Sequence, residues 1–159
     1  MGAKLNRGGS RQDYQTPTEF LYAVENKLDC SFWRDLAATD ENHIDGVNQW
    51  FTPEQDSLKQ DWHGRDYYEV WQWLNPPFSN ITPWVKKASE TNAHIGMLVP
   101  ASVGANWWRD YVHNKAHVLL LNGRITFVGE KDPYPKDCAL LLYTPMIKGG
   151  YEVWSWNAS

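Results

Sequence analysis

Between residues 69 and 156 the chain alternates short apolar runs with segments of helical periodicity, and this alternation limits the possible folds more than any other feature. Apolar runs of four to six residues are typical of buried strands, and apolar residues spaced three and four apart are typical of helices. Strands that alternate with helices form a largely parallel sheet covered by helices. We predict strands at residues 69–74, 95–99, 118–121, 125–128, 139–143 and 153–156, and helices at 82–91 and 105–114. The last strands have no helix between them, which predicts an antiparallel edge.

The N-terminal half is less regular. Residues 1–14 are rich in glycine and arginine and predict a flexible basic arm ahead of a single domain at 15–159. Thr16, Pro17 and Glu19 form a helix-start pattern, in which Thr16 caps the helix and Pro17 takes the first helical position.

Two strands are predicted in the acidic region that follows. Residues 30–38 have the apolar character of a buried strand that runs into a turn at Asp35, and residues 49–52 predict a short strand. Each acidic residue here is either a solvated surface group or a ligand-binding one.

Length and composition predict one folded domain, since 42% of the 159 residues are hydrophobic and 21% are charged. The N-terminus is polar and no apolar run approaches eighteen residues, so we expect no membrane span, signal peptide or lipid anchor, and a cytoplasmic location. Cys30 and Cys138 are too isolated for a zinc ribbon or a disulfide scaffold, and we expect no metal. The net charge of −4 neither supports nor excludes a nucleic-acid partner, because the acid is concentrated in one stretch.

Asn75-Pro76-Pro77-Phe78 follows a predicted strand, and open parallel sheets bind their ligands at the carboxyl ends of strands. Pro76 disfavours a helical conformation at Asn75, and the two prolines keep the loop extended. The loop carbonyls and the Asn75 amide oxygen therefore form a fixed set of acceptors that suits an amino group. Phe78, directly after them, can stack on the ring that bears this amine.

This tetrapeptide resembles the motif of S-adenosylmethionine-dependent methyltransferases that act on amino groups. The wider pattern resembles the small phage-encoded DNA N6-adenine methyltransferases of the Dam type, over roughly residues 14 to 145. It runs through Gln15-Thr16-Pro17, Asp35-Leu36-Ala37-Ala38 with Asn42, Asp56-Ser57-Leu58 with Trp62, Asn75-Pro76-Pro77-Phe78-Ser79 with Trp84, Pro100-Ala101, Trp107-Trp108 and Gly123-Arg124-Ile125-Thr126-Phe127.

The resemblance implies an α/β fold of the reduced Rossmann-like class I methyltransferase type, with helices on both faces of the sheet. It also implies S-adenosylmethionine as cofactor and an adenine that is flipped out of the DNA, because N6 cannot be reached in the stack. Asn75 and Pro76 would accept hydrogen bonds from N6, Pro77 would hold the loop extended, and Phe78 would stack on the base.

For the cofactor, the resemblance implies Asp35 and Ala37 after the first strand, Asp56, and Thr16 with Pro17. The chain departs from larger methyltransferases in one respect, since no Gly-x-Gly follows Asp35 and the first glycine after it is Gly46. The partner is expected to be double-stranded DNA, contacted through loops because no separate recognition domain is visible. The candidate DNA-binding residues are Lys4, Arg7, Arg11, Ser79, Trp107 and Arg124.

Two kinds of alternative stay open on the sequence. The same motif serves methylation of cytosine N4, of RNA bases and of protein glutamine. The second alternative is a catalytically weak DNA-binding or decoy protein of the same fold. The missing glycine loop favours this alternative, and the intact Asn75–Phe78 motif opposes it.

Overall fold

The computed structural model describes residues 14–64 and 70–158, and the predicted basic residues Lys4, Arg7 and Arg11 lie outside these ranges. The strands are β1 (Phe32–Asp35), β2 (Gln49–Trp50), β3 (Trp71–Leu74), β4 (His94–Pro100), β5 (His117–Asn122), β6 (Cys138–Tyr143) and β7 (Tyr151–Ser155). The α-helices are α1 (Thr18–Leu28), α2 (Thr82–Glu90) and α3 (Asn106–Tyr111), and two short 3-10 helices span Pro53–Gln55 and Ser57–Lys59.

The seven strands form one sheet in the order β2-β1-β3-β4-β6-β5-β7. Every neighbouring pair is parallel except the two that involve β6, which confirms the predicted mixed α/β fold with a mostly parallel sheet. The predicted antiparallel edge is wrong in position, because β6 lies inside the sheet between β4 and β5. The chain reverses direction after β5 and again after β6, so the edge strand β7 runs parallel to β5.

Helices cover both faces of the sheet, as predicted. All seven residues of β4 are buried, and successive side chains of a strand point to opposite faces. Ile95, Met97 and Val99 pack with buried residues of α2 and with Trp108 of α3, whereas Leu98 packs with Phe20, Leu21 and Val24 of α1. Among the described residues, no helix is long and apolar enough to cross a bilayer.

The strand predicted at 125–128 is absent. Ile125 and Phe127 are buried and the residues between and after them are exposed, which is the alternation of a strand. However, the Ile125 carbonyl accepts from the Tyr134 N–H at 2.7 Å, and the Val128 N–H donates to Gln15 at 3.0 Å. The segment therefore bonds to two loops and does not join the sheet.

The predicted cap of α1 is also wrong. The helix begins at Thr18, Pro17 is the residue that precedes it, and no side chain caps its first turn. Thr16 lies outside the helix, and its hydroxyl bonds to Asn75, 59 residues along the chain. A bond to so distant a partner leaves no trace in the local pattern.

The parallel strands β1, β3 and β4 end at one edge of the sheet. Asp35 is the last residue of β1, Asn75 follows β3, and Pro100 ends β4. This edge is where an open parallel sheet places its ligand, because the chain leaves neighbouring strands there and opens a crevice.

Candidate active site

A cavity of about 400 Å³ lies at the carboxyl ends of β1 and β3. This volume falls within the range of small-molecule sites. Its wall is built from four stretches of chain, within residues 14–21, 35–45, 51–57 and 73–77, together with Trp84. Four of the five residues predicted to bind a cofactor line it, namely Thr16, Asp35, Ala37 and Asp56.

Asn75 forms the end of this cavity nearest to the Pro-Pro loop. Its Nδ2 donates to the Tyr14 carbonyl at 2.7 Å and to the Thr16 hydroxyl at 3.0 Å. A main-chain carbonyl can only accept, so the amide nitrogen has to face Tyr14. The Asn75 Oδ1 atom is buried and has no hydrogen-bond partner among the described residues. A buried acceptor without a partner costs about 1–3 kcal/mol, which marks this atom as a binding group for an N–H donor that arrives with a ligand.

Phe78 is half-buried in a cluster of four aromatic rings. Its ring centroid lies 5.4 Å from Tyr14, 5.4 Å from Tyr134 and 6.0 Å from Phe127. The last two rings meet it edge to face, at interplanar angles of 69° and 72°. Since Phe78 follows Asn75 by three residues, the ring and the unpartnered amide oxygen belong to one loop.

Asp35 is 3% exposed and accepts two main-chain hydrogen bonds. Its Oδ1 accepts from the Ala37 N–H at 3.2 Å, and its Oδ2 accepts from the Ile44 N–H at 3.0 Å. Burial raises the pKa of Asp35 to about 7, although these two N–H groups and the charge of His43 oppose the rise. The carboxyl group therefore bends the 36–44 segment back towards the end of β1, and Asp35 is one of the residues that line the cavity.

The other predicted cofactor residues differ in their placement. Asp56 has a left-handed backbone with φ of 53°, and its half-exposed side chain lies 3.8 Å from Lys59. Ala37 lines the cavity and donates its N–H to Asp35. Pro17 is buried beside the cavity, and its carbonyl accepts the first N–H groups of α1. The structure thus brings Asp56 and Ala37 to the cavity wall and gives Pro17 a role in starting the helix.

Three of the predicted DNA-binding residues lie in the described chain, namely Ser79, Trp107 and Arg124. Ser79 is exposed directly after Phe78. Arg124 forms an ion pair with Asp137 at 3.3 Å, in a groove walled by residues 100–104 and 135–137. Trp107 is half-buried on α3, where its ring lies 5.7 Å from that of Trp108.

Sequence reasoning missed several residues that complete the site. Tyr14 lines the cavity and also packs on Phe127, with ring centroids 4.6 Å apart, although it falls in the stretch predicted to be a flexible arm. Tyr134 closes the aromatic cluster and Phe51 lines the cavity. Among these three, only Phe51 lies in a segment for which the sequence predicts regular structure, the short strand at residues 49–52. The described ranges contain no group of three or more His, Cys, Asp or Glu side chains that is able to hold a metal ion.

Comparison with known proteins assigns the family. Residues 6–148 match the family described as DNA N-6-adenine-methyltransferase (Dam). The chain is 32% identical over 161 residues to the DNA N-6-adenine-methyltransferase of Haemophilus phage HP1 (strain HP1c1), across 94% of this chain and 89% of that protein. It is also 30% identical over 119 residues to the protein of the same description from Escherichia phage T1, across 73% of this chain and 47% of that protein. The chain belongs to the Dam family of DNA N6-adenine methyltransferases.

Proposed function

We propose that the protein transfers the methyl group of S-adenosylmethionine to N6 of an adenine that is flipped out of duplex DNA. The observation that carries this proposal is the Asn75 Oδ1 atom, which is buried without a partner at the edge of the cavity. An amino group is the kind of ligand that satisfies such an acceptor.

The cavity residues fit S-adenosylmethionine, which supplies an electrophilic methyl group on a sulfonium centre when it is bound. The carboxylates of Asp35 and Asp56 are acceptors for ribose hydroxyls and for amino groups. Thr16 and Ala37 also line the cavity, and Pro17 precedes the first residue of α1. The cavity holds both charge and apolar surface, as a molecule with an adenosine and an amino-acid part requires.

Asn75 Oδ1 and the Pro76 carbonyl accept hydrogen bonds from the two N–H groups of the N6 amino group. The lone pair of this amine is delocalised into the ring, so the nitrogen is a poor nucleophile. Two fixed acceptors favour its pyramidal form and stabilise the positive charge that would develop as the N–C bond forms and the methyl–sulfur bond of the donor breaks. The methylated nitrogen would then release one proton to solvent. Pro77 holds the loop so that both acceptors stay in place.

Phe78 stacks on the extruded adenine, because a base that leaves the duplex loses its stacking partners. The half-buried ring is supported by Phe127 and Tyr134, which contact it edge to face. Lys4, Arg7, Arg11 and Arg124 neutralise phosphates, while Ser79 and Trp107 contact the DNA near the flipped base. Phosphate contacts of this kind position a protein on duplex DNA.

The first prediction concerns the Asn75→Ala variant. We expect it to lose labelled methyl transfer from S-adenosylmethionine to duplex DNA by at least about a hundredfold, by analogy with the loss of one oxyanion-hole donor. Calorimetry should show unchanged affinity for S-adenosylmethionine, because Asn75 contacts the amino group of the adenine and not the methyl donor. Nucleoside digestion of the wild-type product should give N6-methyladenine and no N4-methylcytosine.

Asn80→Ala is the matched control, since Asn80 is exposed on the same loop. It should keep wild-type transfer. Asn75→Ala activity within tenfold of wild type would contradict the role of Asn75, and transfer to RNA in preference to DNA would contradict the substrate.

The second prediction concerns pH. The raised pKa of Asp35, about 7, means that the carboxyl group becomes an ionised acceptor as the pH rises through neutrality. We therefore expect S-adenosylmethionine affinity to rise about tenfold between pH 6 and pH 8, measured by calorimetry. The same shift makes the free protein progressively less stable as the pH rises from about 4 to about 7, because the folded state keeps a proton that the unfolded chain releases. The loss of stability is complete above about pH 7.

Asp35→Asn should bind the donor more weakly and remove this pH dependence. His43→Gln is the matched variant, since His43 lines the same cavity and should leave the dependence in place. A pH dependence that persists in Asp35→Asn and is lost in His43→Gln would contradict the role of Asp35.

The third prediction separates stacking from packing at Phe78. Base–aromatic stacking contributes roughly 1–3 kcal/mol, so Phe78→Ala should lose about ten- to a hundredfold in kcat/KM for DNA. Phe78→Tyr should recover most of this loss, whereas Phe78→Leu, which fills the site without a π-face, should not. If Phe78 instead only holds the fold, Leu will behave like wild type and Ala will lower the melting temperature together with donor affinity.

A further inference from the structure

The Asn75 carboxamide uses both of its protons within the protein. One points at the Tyr14 carbonyl at 2.7 Å and the other at the Thr16 hydroxyl at 3.0 Å. No N–H of this side chain is left to meet a substrate, and its buried oxygen is the atom that has no hydrogen-bond partner among the described residues. An N6 amino group can only donate to such a site, so the orientation of this amide decides whether the substrate is accepted.

The two bonds do different things. The Tyr14 carbonyl selects which end of the amide faces inward, because an oxygen in place of Nδ2 would meet another acceptor. One hydrogen bond still allows the amide plane to turn about the bond axis. The second bond, to Thr16, removes that freedom and fixes the direction of Oδ1.

The Thr16 hydroxyl has no local structural task that explains its position. The first turn of α1 has no side-chain cap, although Thr16 lies only two residues before it. Thr16 is 7% exposed. Among the described residues, its hydroxyl forms a hydrogen bond with Asn75 alone.

The segment around Thr16 is held by contacts that do not involve this hydroxyl. The Gln15 carbonyl accepts from the Val128 N–H at 3.0 Å, and the Tyr14 ring packs on Phe127. The Pro17 carbonyl accepts from Phe20 and Leu21 of α1. Removal of the hydroxyl therefore leaves the path of the chain unchanged.

We propose that Thr16 is a positioning residue for methyl transfer, whose hydroxyl fixes the plane of the Asn75 carboxamide so that Oδ1 meets the amino group of the target base. This inference rests on the function proposed for Asn75. It differs from a direct contact of Thr16 with the methyl donor, because it acts on the rate of transfer and leaves donor affinity unchanged.

Thr16→Val tests the inference, since valine has the shape of threonine and cannot accept a hydrogen bond. We expect the single-turnover transfer rate at saturating S-adenosylmethionine and DNA to fall about tenfold, as expected for one lost hydrogen bond. Donor affinity by calorimetry should stay within about twofold, and the melting temperature should change little. Thr16→Ser keeps the hydroxyl and should stay within about threefold of the wild-type rate. Thr82→Val, at an exposed threonine, is the control for the substitution itself.

Asn75→Asp gives a second, independent test. An aspartate keeps two acceptor oxygens but has no N–H for the Tyr14 carbonyl. The Thr16 hydroxyl can turn and donate to the carboxylate, but the oxygen that faces Tyr14 then meets another acceptor, so we expect a loss of more than about tenfold. Adding Thr16→Val to Asn75→Ala should reduce the rate no further, because alanine has already removed the bond to Thr16.

The outcomes separate the two proposals. An inactive Asn75→Ala together with a fully active Thr16→Val overturns the positioning role alone. A Thr16→Val variant that loses donor affinity in proportion to rate assigns its hydroxyl to the donor and also overturns it. An active Asn75→Ala overturns the role of Asn75 and, with it, this inference.

Discussion

The active-site edge depends on one carboxamide, that of Asn75, which joins the end of β3 to the segment before α1. Its two hydrogen bonds reach Tyr14 and Thr16, which are 61 and 59 residues away in the sequence. They hold that segment across the edge of the sheet, where it becomes one wall of the cavity. The same segment brings the Tyr14 ring to Phe78. The cavity and the aromatic cluster therefore share this segment, which also contacts Val128 and Phe127.

Most of the fold was predictable because its signals are local. β4 is apolar after its first residue, His94, and β3 is apolar except for Gln72. The Pro-Pro pair marks the end of β3 whatever lies around it. The position of Asn75 and Phe78 at a strand end followed from that reading, and so did their place at the ligand edge of the sheet. The helix faces followed from the spacing of apolar residues.

The errors share a physical cause, which is bonding to a distant part of the chain. Residues 125–128 alternate in burial as a strand does, but their main-chain bonds go to Gln15 and Tyr134. Periodicity reports which side chains are buried and not which backbone pairs with which. Thr16 was predicted to cap the next helix, but it bonds to Asn75, and the place of β6 inside the sheet depends equally on pairings that no local window contains.

Asp35 shows how the chain closes the loop after β1 without the glycines of larger methyltransferases. Such glycines allow the main chain to come close to the ligand after the first strand. Here the Asp35 carboxylate accepts the N–H groups of Ala37 and Ile44, and these bonds bend residues 36–44 back over the strand end. A side chain thus supplies the curvature that glycine conformations supply elsewhere. The same burial that lets the carboxylate reach both N–H groups raises its pKa to about 7, so the loop is shaped by a group whose charge changes near neutrality. In this chain the shape of the cavity and its electrostatics therefore depend on the same residue.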